Sequence, residues 1–207
     1  MRGTQGKPYV SPHWVTDAWS AFTDDRVVRV AVDAVGGDNA PDEVVKGALA
    51  AAGPQLNVVL VGDEPRVRAL LPPGAAHLSV VHAPDVIGPG EEPATAARTK
   101  TGSGIVVGLR MVQEGAADAF VSAGNTGAVV AASVLYVRRI PGVKRPPICT
   151  IMPAMPAPVA FLDVGANAEC RPEFLRQFAI MGQAFAREVM GIPEPTNPGL
   201  AAVGLEV

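Results

Sequence analysis

Residues 31–46 read AVDAVGGDNAPDEVVK. The stretch closes a β-branched run, VVRVAVD at Val27–Asp33, and passes through turn residues into a helical pattern from Pro41. Pro41 suits a first helical position, and Asp42 and Glu43 suit the positive end of a helix dipole. Val44, Val45, Ala48, Leu49 and Ala52 fall on one apolar stripe before Gly53-Pro54 stops the helix. The order is therefore strand, glycine- and aspartate-rich loop, helix.

The same cycle repeats outward from this unit. NVVLVGD (57–63) reads as a strand, a short helix runs through Val67 and Leu71, and LSVVHA (78–83) reads as a third strand. These runs do not alternate, which is the mark of strands buried on both faces. After DVIGPGEEP, an excursion punctuated by proline and glycine, ATAARTKTGSGIVVGLRMVQEG predicts one or two helices ending at Gly115. A strand ADAFVSA, a loop GNTG and a small-residue helix AVVAASVLYVRR follow. PPICTIMP and VAFLDVG predict two further strands, paired through the proline-rich PAMPAP. A long helix from Pro172 to about Met190 places Phe174, Phe178, Met181 and Phe185 at helical spacing, for a core or a subunit contact. The last run, GLAAVGLEV, reads as one more buried strand with no crossover helix after it.

Strands alternating with helices predict an α/β fold, Rossmann-like, with three α/β/α layers around a largely parallel sheet and no internal repeats. Residues 26–207 are expected to form this α/β domain as an N-terminal portion, incomplete at its C-terminus. Residues 1–25 are polar, carry both tryptophans and keep no steady period, so a poorly ordered leader is expected there, of the kind a misplaced start codon would create.

Composition narrows the function. The 207 residues are 48% hydrophobic, ample for a core, and 17 basic against 20 acidic residues give a net charge of -3. That balance offers no broad attraction to nucleic acid or to an anionic bilayer. A small polar metabolite is the better expectation. Two cysteines, Cys149 and Cys170, exclude a secreted-type disulfide framework and fit a reducing, cytoplasmic setting as plain buried thiols. No apolar run reaches the ~18 residues of a membrane span, and the opening segment has no signal-peptide core. At most a peripheral contact with a membrane is expected.

In a parallel α/β sheet ligands bind at the carboxyl ends of strands, and three such ends carry unusual loops: DAVGGDNAP, SAGNTG and DVGANAECRP. Small residues let a ligand approach the backbone, and Asn, Thr and Asp side chains supply hydrogen bonds. Each loop taken alone is also what an ordinary tight turn looks like. A cap at Thr126 for the helix near Gly127 and a left-handed backbone at Asn125 would explain both residues without a ligand. Carboxylates beside a phosphate would repel it, so Asp33, Asp38 and Asp163 are expected to orient neighbouring groups. Positive charge is expected from Arg98 and Lys100 in AARTKTGSG, unless these only solvate a helix face. Gly102-x-Gly104-x-x-x-Gly108 has no strand before it, which argues against a dinucleotide turn and an oxidoreductase. No metal or cofactor is expected, since neither zinc spacing nor a Walker loop occurs, and His82 at a strand end reads as a hydrogen-bonded structural residue.

DAVGGDNAP, VSAGNTGA, RIPGVKRPPI and LDVGANAECRPEFLRQFAIMG, in that order, closely resemble the bacterial phosphate acyltransferase family PlsX from about Val27 to Leu205. The resemblance implies a fold like that of phosphotransacetylases and isocitrate-type dehydrogenases. It also implies transfer of a fatty acyl group from acyl carrier protein to inorganic phosphate, with the acyl phosphate feeding phospholipid synthesis. The family's chain continues beyond GLAAVGLEV with helices used in homodimer contacts, so a homodimer is implied for the complete protein. Asp33, Gly36, Gly37, Asp38, Lys100, Ser122, Gly124, Asn125, Thr126, Asp163, Gly165 and Asn167 match the family's motifs. Phosphate itself can attack a thioester, so binding and orientation dominate. Lys100 is expected to hold phosphate and Asn125 to stabilise the oxyanion as the catalytic pair. The other ten are expected to line the substrate site. A different reading, a truncated non-catalytic paralogue that keeps the phosphate-binding loops or acts as a partner subunit, is suggested by the early end of the chain.

Overall fold

The computed structural model describes residues 26–155, 157–165 and 170–195. The leader, Asn167 and the last expected strand lie outside them. The described chain divides into two compact units between Pro141 and Gly142.

The first unit is built on a four-stranded parallel sheet. Its strands are β1 (Val28–Asp33), β2 (Leu56–Gly62), β3 (Leu78–His82) and β4 (Ala119–Val121), in the order β3-β2-β1-β4. β2 is a run of valine and leucine because both its faces are covered. Val58 and Leu60 point to one face, where they pack with Val45 and Ala48 of α1 (Asp42–Ala51) and Val67 of α2 (Glu64–Arg68). Val59 and Val61 point to the other, joining Ala31, Ala83 and Ala117 under Val107 and Met111 of α4 (Gly104–Gln113). The period of two along β2 thus separates two helical layers, and the expected three-layer α/β/α arrangement is present.

A third apolar cluster joins α4 to α3 (Pro93–Thr99) and α5 (Thr126–Ala132) through Ala97, Ile105, Leu109, Ala128 and Ala132, with Ile87 of the β3–α3 loop inserted among them. Small residues let these helices approach closely. Tyr136, on a π-helical turn Ser133–Val137 that extends α5, donates to the Ala97 carbonyl at 3.0 Å, and Arg110 lies 4.8 Å over its ring. Two glycines that sequence reading leaves as a weak dinucleotide motif have packing reasons. A Cβ on Gly108 would overlap the Phe120 ring, and one on Gly104 would overlap the Asp33 carboxylate.

Several boundaries differ from those the sequence suggests. Pro41 precedes the helix, which starts at Asp42, and Leu71 lies beyond the short α2. Of the one or two helices expected over 93–115 there are two, because Lys100 leaves helical geometry and Ser103 caps α4, which ends at Gln113.

The second unit pairs β5 (Cys149–Met152) with β6 (Val159–Leu162) as an antiparallel ladder, followed by α6 (Pro172–Glu188). Phe178, Gly182 and Ala186 form the buried stripe of α6, and a Cβ on Gly182 would stand 2.8 Å from Leu162 Cδ1. Lys144 Nζ bonds Glu173 at 2.6 Å, tying the start of this unit to the first turn of α6. Neither cysteine is fully buried, contrary to expectation: each sits half-exposed, because Cys149 lies on a two-stranded ladder and Cys170 just ahead of α6. Among the described residues no helix is long and apolar enough to cross a membrane.

Candidate functional site

The strand order places the chain's change of direction at β1. β2 and β3 extend the sheet to one side, and β4 returns to the other side of β1. In open parallel sheets ligands bind outside the carboxyl ends of the two strands flanking such a reversal. Here those ends carry Asp33 and Ser122.

Asp33 is 2% exposed. Its Oδ2 accepts from Ser122 Oγ at 2.7 Å, and its Oδ1 accepts from the Val35 amide at 3.3 Å. Ser122 Oγ in turn accepts from the Gly124 amide at 3.0 Å. A carboxylate on one strand end thus fixes the backbone of the loop on the next. Three glycines make room for it. A Cβ on Gly36 would overlap Asp33 Oδ2, one on Gly104 would overlap Oδ1, and one on Gly124 would stand 3.4 Å from Oδ2. No cation pairs with Asp33 among the described residues, and burial pushes its carboxyl above the ordinary value. The Ser122 hydroxyl and the amides of Val35 and Gly36 oppose that shift. A buried carboxylate without a counter-ion lowers stability, and groups perturbed in this way cluster at functional sites.

Gly37 has φ +101, and a Cβ there would stand 3.1 Å from the Ala123 side chain, so the turn after β1 lies directly on the turn after β4. Asp38 is exposed at the rim of the same turn. Thr126 is the exposed first residue of α5, not its cap. The cap is Asn125, whose Oδ1 accepts from the Ala128 amide at 3.0 Å with φ -62, so its backbone is not left-handed. Its position just before the helix, in extended geometry, is the usual place for a capping side chain. The other end of the amide, Nδ2, donates to the Gly88 carbonyl at 3.0 Å.

Lys100 ends α3, and its Nζ donates to Glu91 Oε1 at 2.7 Å and to the Val86 carbonyl at 2.8 Å. The bond from Lys100 holds the Glu91 carboxyl below its ordinary value, aided by the Gly88 amide. Gly88 therefore sits between the two expected catalytic side chains. It gives its carbonyl to Asn125 and its amide, at 2.6 Å, to Glu91. Sequence reading misses Glu91, Gly88 and Gly104. The available signal was DVIGPGEEP itself, an excursion ending in two acidic residues just ahead of a basic helix end.

Asp163 and Gly165 belong to the second unit. Asp163 follows β6 with φ +66 and Gly165 has φ +83, so DVG is a tight left-handed turn. Asp163 Oδ2 accepts from Cys170 Sγ at 2.9 Å, which pushes the thiol up to about 11. Of the twelve expected site residues, the structure gathers Asp33, Gly36, Gly37, Ser122, Gly124, Asn125 and Thr126 around the β1 and β4 ends, with Asp38 at the rim. Lys100 is linked to that group through Gly88 and Glu91. His82 is structural, accepting from the Glu64 amide at 3.2 Å. No group of three potential metal ligands occurs among the described residues.

The sequence model of the family described as fatty acid synthesis protein matches residues 28–206. Proteins named phosphate acyltransferase from Desulforamulus reducens and Moorella thermoacetica are 45% and 46% identical over 183 residues each. The alignments cover 87% and 86% of this chain but 55% and 53% of those proteins, so the chain spans about half the length of the curated relatives it matches. A solved structure, the EutD phosphotransacetylase from Staphylococcus aureus, superposes with a TM-score of 0.62 at 19% identity. It covers 87% of this chain and 58% of that one, a likeness of fold.

Proposed function

This chain belongs to the fatty acid synthesis protein family, and from that membership we propose that it carries the phosphate-binding part of an acyl-acyl-carrier-protein:phosphate acyltransferase. Its substrates are acyl carrier protein bearing a fatty acyl thioester and inorganic phosphate, and its product is an acyl phosphate for phospholipid synthesis. A cytoplasmic setting, a homodimer and no more than peripheral membrane contact complete the reading.

The observation that carries it is the Asp33–Ser122–Gly124 chain of hydrogen bonds, which locks two glycine-rich loops together at the sheet's reversal. Such a construction favours a small ligand held by backbone amides. Ser122 donates to Asp33 while accepting from Gly124, so its hydroxyl holds the two loops together. The reaction needs no protein nucleophile. A phosphate oxygen attacks the thioester carbonyl carbon, the new carbon–oxygen bond forms, the carbon–sulfur bond breaks, and the carrier's thiolate leaves and takes a proton. The protein's task is to align phosphate with the carbonyl and to stabilise the oxyanion between those steps. Lys100 supplies the point charge and Asn125 Nδ2 a donor, each by exchanging its present partner for substrate.

The test is to incubate acyl-acyl-carrier-protein and phosphate with this chain, alone and joined to the residues by which its relatives exceed it, trapping acyl phosphate with hydroxylamine. The longer protein should form the hydroxamate in a phosphate-dependent way and the chain alone should do so poorly. No phosphate-dependent product from the longer protein would leave a non-catalytic binding role as the better reading.

A further inference from the structure

The two side chains assigned to chemistry are both held by one short turn. Val86 and Glu91 engage the Lys100 ammonium, and Gly88 between them engages the Asn125 amide. We propose that Glu91 is the resident anion of the phosphate position, so that inorganic phosphate binds by displacing the Glu91 carboxylate from Lys100 and releasing the Gly88–Glu91 turn. The proposal rests on the reading of Lys100 as the phosphate-holding cation.

The turn is constructed to move as a small piece. On one side Ile87 is buried in the apolar cluster with Ala97 and Ile105. On the other, Glu92 caps α3 by accepting from the Ala94 and Thr95 amides at 3.1 and 2.7 Å, and a Cβ on Gly127 would stand 2.7 Å from the Pro93 ring. Between these anchors lie Gly88, Pro89, Gly90 and Glu91, which form a turn closed by a weak 3.3 Å bond from the Glu91 amide to the Gly88 carbonyl. Gly90 is exposed, and a Cβ on it would meet nothing.

Both partners of the ion pair are about one-third exposed, at 37% and 36%. A pair so open to solvent is weak enough to exchange for another anion. The exchange also links the two roles. When Glu91 leaves Lys100 its carboxylate also gives up the Gly88 amide, so only the 3.3 Å backbone bond still closes the turn, and Gly88 can then carry its carbonyl away from Asn125 Nδ2. Phosphate binding would therefore uncover the oxyanion donor, which stays occupied while the site is empty.

The experiment titrates inorganic phosphate into the 207-residue chain by calorimetry, with Glu91→Gln and Lys100→Ala variants, and follows the Glu91 carboxyl carbon by NMR. Removing one competing surface charge should tighten phosphate binding about two- to fivefold in Glu91→Gln. Phosphate should also return the Glu91 titration toward its ordinary range, and Lys100→Ala should bind weakly. Equal affinity of wild type and Glu91→Gln with an unmoved Glu91 signal would overturn the displacement and leave the acyl-transfer reading standing. No phosphate binding by either protein would overturn both.

Discussion

Gly104→Ala should destabilise the protein, although alanine is the better helix former. Gly104 opens α4 in ordinary helical geometry, so nothing in its backbone demands glycine. What demands it is the Asp33 carboxylate, which a Cβ would overlap, with the Val61 carbonyl 3.2 Å away on the same side. Asp33 cannot retreat, since it is buried and tethered to Ser122 and the Val35 amide. Overpacking of this kind costs about 1–3 kcal/mol. Gly→Ala in a helix returns up to ~1 kcal/mol, less at a first position. The net loss should be about 1–2 kcal/mol, or roughly 0.5–1 M in the urea midpoint for a typical slope near 2 kcal/mol per M. Gly47→Ala is the control. Gly47 is exposed in α1 and a Cβ there meets nothing, so that variant should gain up to ~1 kcal/mol. The assay is urea unfolding followed by circular dichroism on the whole chain. If Gly104→Ala gains stability as Gly47→Ala does, the account of a carboxylate walled in by glycines is refuted.

Asp33→Asn should alter the pH dependence of stability. The folded carboxyl lies above its unfolded value, so its contribution is fully present below about pH 4 and is lost as pH rises through the folded value. The urea midpoint of the wild type minus that of Asp33→Asn, measured from pH 3 to 7, should fall across that window, and a rise or a flat difference would contradict the burial argument. Asn125→Ala should cost about 1 kcal/mol as a lost cap. Asn125→Ser should recover most of that in thermal unfolding while still lacking the Gly88 bond, and loss of turnover in both would separate the donor from the cap. Cys170, pushed up to about 11 by its Asp163 partner, should react with iodoacetamide at pH 8 roughly tenfold or more slowly than a free thiol. Asp163→Ala should speed that reaction, and mass spectrometry of the labelled peptide reads it.

The sheet was legible in the sequence because its signals are local. The valine-rich run at 57–61, Gly53-Pro54 and Gly115 mark elements that need only near neighbours to form. The glycine-rich loops were legible as loops for the same reason. Contacts between them were not. Ser122 meets Asp33 across 89 residues of sequence, and Gly104 serves as a wall only once α4 has packed over β1. Asn125 shows the limit within one motif. GNTG offers two capping residues, and the choice between Asn125 and Thr126 depends on where the helix begins, which the packing of Ala128 and Ala132 against α3 and α4 decides. Lys100 was visible as a charge, while its partner Glu91 became visible only when the excursion folded back on α3.

The central claim is that phosphate binds where the loops after β1 and β4 meet. Amide spectra of the isotopically labelled chain, recorded as inorganic phosphate is added, test it most directly. The largest shifts should fall on Gly36, Gly37, Ala123, Gly124, Asn125 and Thr126 and on the Gly88 and Glu91 amides of the displaced turn, with the Lys100 side chain moving in step. Saturable shifts confined to other parts of the chain, with those loops unmoved, would contradict it.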